Sequence, residues 1–95
     1  MSAYIVFIKE REHDSAAMAD YAAKAGPTLS GHPGKPLAFY GAIETLEGPE
    51  AAGAVIIEFP TMEDARAWYN SPAYQEARAH RFQGADYRVF LTQGI

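Results

Sequence analysis

The chain of 95 residues contains no cysteine. That excludes disulfide staples, thiolate metal sites and a cysteine nucleophile, and it fits a cytoplasmic protein. Basic residues are few, eight Lys and Arg against twelve Asp and Glu, for a net charge of −4. They are also dispersed, with Arg66, Arg78, Arg81 and Arg88 interleaved with Glu63, Asp64, Glu76 and Asp86. Such a mixed, solvated surface argues against a nucleic-acid partner. No apolar run approaches the roughly 20 residues of a membrane span, so no membrane partner is expected. The N-terminus lacks a basic region and runs straight into Tyr4-Ile5-Val6, which does not read as a signal peptide. The three histidines, His13, His32 and His80, have no metal-binding spacing. Neither a metal nor a cofactor is expected. A nucleophile elbow, a Walker loop and a dinucleotide fingerprint are all missing. Gly31-His32-Pro33-Gly34 is too loose a pattern to cradle phosphate.

What is present is the patterning of one domain over residues 1–95. Tyr4 to Ile8 reads as a strand. Asp14 or Ser15 caps a helix carrying Met18, Tyr21, Ala22 and Ala25, and Gly26-Pro27 stops it. After a Gly/Pro loop, Leu37 to Glu44 is predicted as the second strand and Gly53 to Phe59 as the third. Thr61 caps a helix with Ala65, Trp68 and Tyr69 on its apolar stripe. Asn70-Ser71-Pro72 interrupts and restarts it, with Ser71 as cap and Pro72 at the first helical position. Gly84 closes that helix, and Tyr87 to Thr92 is the last strand. The order βαββαβ predicts an α+β ferredoxin-like sandwich, a four-stranded antiparallel sheet with two helices on one face.

Alternate residues of a strand face opposite ways. One set, Tyr4, Val6, Ile8, Leu37, Phe39, Ile43, Val55, Ile57, Phe59, Tyr87, Val89 and Leu91, is assigned to the helix-covered face. The other has an apolar centre in Ile5, Phe7, Ile56 and Phe90, with Lys9, Tyr40, Glu44, Glu58, Arg88 and Thr92 around it. A solvated face should be polar, so this one is expected to be covered by a second copy of the chain, closing two sheets into an α-β barrel.

Glu58-Phe59-Pro60, Ala65, Trp68-Tyr69-Asn70-Ser71-Pro72 and Tyr74-Gln75 carry a resemblance. The chain resembles the small bacterial proteins grouped as domain of unknown function thirteen-thirty, in the dimeric α-β barrel superfamily. The likeness runs from the first strand through Tyr21 and Leu46-Glu47-Gly48 to Gly94. It implies the same fold and a homodimer, and no activity. Lys35 and Gly41 match the family's pattern, whereas the family's strand arginine falls on Phe39.

Few residues offer chemistry. His32, in the loop entering the second strand, is expected near Glu58, as a base tuned by a carboxylate or as a solvated loop histidine. Glu58 is either a proton-handling group or a paired residue at the barrel mouth. Trp68, Tyr69 and Tyr74 read as core, or as the lining of a pocket in which Arg78 or Arg81 holds a carboxylate. Tyr40 shares the sheet face of Glu58 and is expected to converge on it. Two functions follow: binding or transforming a small organic molecule at the barrel mouth, or a non-catalytic dimeric assembly or regulatory module.

Overall fold

The computed structural model describes residues 1–95. Strand β1 spans Ala3–Glu12, helix α1 Ser15–Ala25, and a 3-10 turn Gly26–Leu29. Then come β2 at Lys35–Phe39, β3 at Gly53–Phe59, α2 at Met62–Tyr69, α3 at Pro72–Gly84 and β4 at Ala85–Gln93. The sheet order is β2-β3-β1-β4, antiparallel throughout. This is the split βαβ arrangement, with a third helix because the second segment breaks at Asn70. No helix is long and apolar enough to cross a membrane.

The caps follow the sequence. Asp14 Oδ1 accepts from the N–H groups of Ala16 and Ala17, Thr61 Oγ1 from Asp64 and Ser71 Oγ from Tyr74. Each satisfies a donor that the first helical turn leaves free. Pro27 does not end its helix outright. It sits at the start of the 3-10 turn, where its missing N–H costs nothing.

Two expectations are corrected. The first concerns β1. Its pairing puts Ile5 beside Ile57 and Leu91, and Phe7 beside Val55 and Val89. Ile5 and Phe7 therefore lie under the helices, and both are buried. Tyr4, Val6 and Ile8 take the open face. Both parities of β1 are apolar, so only the register with its neighbours decides which faces inward. On the open face Val6 stands between Ile56 and Phe90, with Glu58, Thr92 and Arg88 further out.

The second correction concerns β2. It ends at Phe39, not Glu44, because Tyr40 turns the chain with φ +50°. A bulky residue rarely adopts that left-handed backbone. It is held by its N–H bond to the Ala54 carbonyl at 2.9 Å. Its ring covers Gly53, where a Cβ would come within 2.9 Å of Tyr40 Cδ1. Residues 41–52 form a loop.

The core lies between the sheet and the helices, built on Ile5, Phe7, Tyr21, Val55, Ile57, Phe59, Trp68 and Tyr74. Trp68 stacks on Phe59 at 5.8 Å between ring centroids and packs against a tilted Tyr74 ring at 4.3 Å. Its Nε1–H donates to Thr28 Oγ1 at 3.0 Å.

Candidate functional site

Helix α1 does not seat firmly on the sheet. Ala16, Ala17, Ala19, Ala22, Ala23 and Ala25 give it short side chains, and only Ala17 and Tyr21 are buried. It is drawn instead to α3. The Gly84 carbonyl accepts from the N–H groups of His13 and Asp14, and a Cβ on Gly84 would meet Met18 Cγ at 2.7 Å. The space left between α1, the 3-10 turn and the sheet is a cavity of about 530 Å³. Twelve of its seventeen lining residues are hydrophobic, so its contents must be largely apolar.

Each neighbouring element contributes to the wall. β1 gives Phe7, α1 gives Met18 and Tyr21, the 3-10 turn gives Leu29, β3 gives Val55 and Ile57, and α2 gives Trp68. Phe39 and Tyr40 are the most exposed rings of the lining and mark its mouth, packed edge to face at 4.9 Å. The polar groups at the wall are few: the Lys9–Glu12 ion pair, Ser15, and the phenols of Tyr21 and Tyr40.

Those phenols belong to two pairs. Tyr21 and Tyr74 share a hydrogen bond of 2.9 Å, and Tyr40 and Tyr87 one of 2.5 Å. Burial, foremost, pushes the pKa values of Tyr21, Tyr74 and Tyr87 upward. These phenols therefore stay neutral at physiological pH and act as donors rather than bases. Around them stand two arginines of α3. Arg78 lies 5.3 Å over the Tyr69 ring and 5.0 Å over Phe82. Arg81 is buried, and its Nη2 donates to Tyr69 Oη at 3.4 Å.

The residues singled out in the sequence separate into two places. Tyr40 lines the cavity. Tyr69, Tyr74 and Arg78 do not line it: Tyr74 lies behind the wall against Tyr21 and Trp68, and Tyr69 and Arg78 lie beyond Tyr74. Glu58 and His32 lie elsewhere. Glu58 is on the open sheet face, where it accepts from the Tyr4 hydroxyl at 3.3 Å and pairs with Lys35 in register. His32 makes a backbone bond to the Leu29 carbonyl and has no hydrogen bond to Glu58. Tyr40 and Glu58 do not converge. Antiparallel pairing sets Lys35 against Glu58, and so carries Tyr40 to the opposite end of β3, beside Ala54. The left-handed turn then swings the ring to the helix side, where it reaches Tyr87. Tyr21 and Tyr87 were missed because each reads as an ordinary core position in its own element. Only tertiary pairing reveals them.

Strand order, helix placement and cavity together define a ferredoxin-like α+β protein. The chain belongs to the family described as a domain of unknown function, DUF1330, whose model matches residues 2–95. Among curated proteins none matches. Solved structures share the fold. A protein of unknown function from Rhodopseudomonas palustris, RPA0582, is 24% identical with a TM-score of 0.74, over 99% of this chain and 82% of that one. SnoaB from Streptomyces nogalater, described as a cofactor-independent oxygenase, is 9% identical with a TM-score of 0.71, over 99% and 93%. A dimeric ferredoxin-like protein of unknown function from Jannaschia sp. CCS1 is 15% identical with a TM-score of 0.68, over 99% and 100%.

Proposed function

We propose that this protein binds a small, mostly apolar organic molecule in the cavity between α1 and the sheet, as a homodimer joined through the open sheet face. The cavity carries the reading. Its volume of about 530 Å³ suits a small organic ligand, and its walls are rings and aliphatic groups with a few phenolic donors. Its lining joins exposed positions such as Ala19, Ala22 and Phe39 to a buried floor of Phe7, Val55, Ile57 and Trp68, so a ligand can enter from solvent and reach apolar walls. SnoaB, which shares the fold, is described as a cofactor-independent oxygenase, which supports the fold as one that can serve such chemistry. The dimer is supported by the Val6, Ile56 and Phe90 row, by exposed Phe90 and by the dimeric Jannaschia protein. In it, Glu58 and Tyr4 form a polar rim where the sheets meet, with His32 in the loop beyond.

The test is titration with N-phenyl-1-naphthylamine, a neutral apolar dye that fluoresces when taken out of water. Saturable binding at one dye per chain is expected. Ala22→Trp, which fills the cavity from α1, should abolish it while sedimentation still shows a dimer. Non-saturable fluorescence, or full binding by Ala22→Trp, would refute the reading.

A further inference from the structure

Arg81 is only 3% exposed, yet it forms no ion pair with a carboxylate. The ion pairs of the chain join Lys9 with Glu12, Arg11 and His13 with Asp86, and Arg88 with Glu10. Arg81 is enclosed by rings instead. Its Cζ lies 5.0 Å from the Tyr87 centroid, 5.2 Å from Phe82 and 5.7 Å from Phe7. Ring faces attract a cation, but they accept none of its five N–H groups well. One long bond reaches Tyr69, and Nε is buried without a partner. A buried charge left in this condition is costly unless something completes it.

The position of the charge indicates what would complete it. Phe7 lines the cavity, and Tyr87 holds the hydroxyl of Tyr40, which also lines it. Arg81 therefore stands one ring behind the inner wall. In front of it the Tyr87 phenol, its pKa raised by burial, is a neutral donor, and the Tyr40 hydroxyl bonded to it can also donate to an oxygen anion. The one acidic side chain of the lining, Glu12, is paired with Lys9.

We infer that the cavity selects an organic acid: a flat, mostly apolar molecule with one anionic oxygen group, whose charge is matched by Arg81 and whose oxygen is met by the hydroxyls of Tyr40 and Tyr87. This rests on the cavity being the binding site. The Tyr40–Tyr87 bond opens to admit the anion, and each phenol then turns its proton toward it. Arg78, over Tyr69 and Phe82, adds to the positive field from outside the wall.

The experiment is displacement of bound N-phenyl-1-naphthylamine by naphthalene-1-carboxylate and by its neutral amide, naphthalene-1-carboxamide. The carboxylate should bind roughly tenfold or more tightly than the amide, the usual scale for a charged hydrogen bond out of water. In Arg81→Met the two should become equal through loss of carboxylate binding, with amide binding retained. Melting temperature should hold or rise in that variant, because a charge kept for a ligand is a burden to the empty protein. Equal binding of the two competitors to the unaltered protein overturns this inference but leaves the cavity reading standing. Saturable dye binding that neither competitor displaces overturns this inference alone, whereas non-saturable dye binding overturns both. The comparison on the unaltered protein needs no variant to fold.

Discussion

Replacing Trp68 with alanine tests whether this residue holds the core or serves as a ligand platform. Trp68 is 2% exposed, stacked on Phe59 and packed against a tilted Tyr74, and its Nε1–H bond to Thr28 is its polar anchor. Removing a buried tryptophan typically costs about 3–5 kcal/mol. The upper part of that range applies here. Two ring contacts contribute about 0.5–1.5 kcal/mol each beyond burial, and the lost hydrogen bond adds about 1 kcal/mol. The Thr28 hydroxyl keeps its own bond to the Ala25 carbonyl, so no donor is orphaned. A domain of this size has roughly 5–14 kcal/mol in total, so Trp68→Ala should lower the melting temperature by about 20–30 °C. Trp68→Phe keeps a ring and loses the donor, and should cost about 1–2 kcal/mol. The assay is urea unfolding followed by circular dichroism at fixed protein concentration, since the chain has one tryptophan and the variants lose its fluorescence. A loss below about 1.5 kcal/mol in Trp68→Ala, with dye binding abolished, would show the ring to be a platform and the reasoning wrong.

Charge placed on the two sheet faces should have opposite outcomes. Phe90→Asp, on the open face, should sediment as a folded monomer, whereas Phe7→Asp, in the core, should not fold; a folded Phe7→Asp or a dimeric Phe90→Asp contradicts the face assignment. Burial raises the pKa values of Tyr21, Tyr74 and Tyr87. The stability they confer should therefore be complete below the unfolded value of about 10 and fall as pH rises above it. Phenolate absorbance should show these three of the six tyrosines silent until the fold is lost, and smooth titration of all six with circular dichroism unchanged would refute that.

How much of this was legible in the sequence depended on how local the cause was. Thr61, Ser71, Pro72 and Asp14 act within one helical turn, and the structure finds them in those roles. The bounds of β3 are set by Gly53 and Pro60 and were equally plain. The facing of β1 was not, because Tyr4-Ile5-Val6-Phe7-Ile8 is apolar on both sides and its orientation is fixed by partners fifty and eighty residues away. The site followed the same rule. Tyr69, Tyr74 and Arg78 cluster because α2 and α3 are contiguous in sequence. The Tyr40–Tyr87 pair depends on a left-handed tyrosine that no propensity anticipates. The cavity depends on how far α1 stands from the sheet, which a string of alanines permits but does not announce.

The sheet order has a consequence for crowding at high concentration. Two strands, β2 and β4, are left at the margins with unpaired backbone groups that invite a neighbour's strand. The β2 margin is blunted: it is five residues long, bears Pro36, which has no N–H to offer, bulges between Pro36 and Ala38, and is cut off by the turn at Tyr40. The β4 margin is nine residues long and contains no proline. Its defence is electrostatic, with Asp86 bonded to Arg11 and His13, and Arg88 to Glu10, three exposed pairs. Salt weakens such pairs, so strand-to-strand aggregation of this protein should begin at β4 and be promoted by ionic strength.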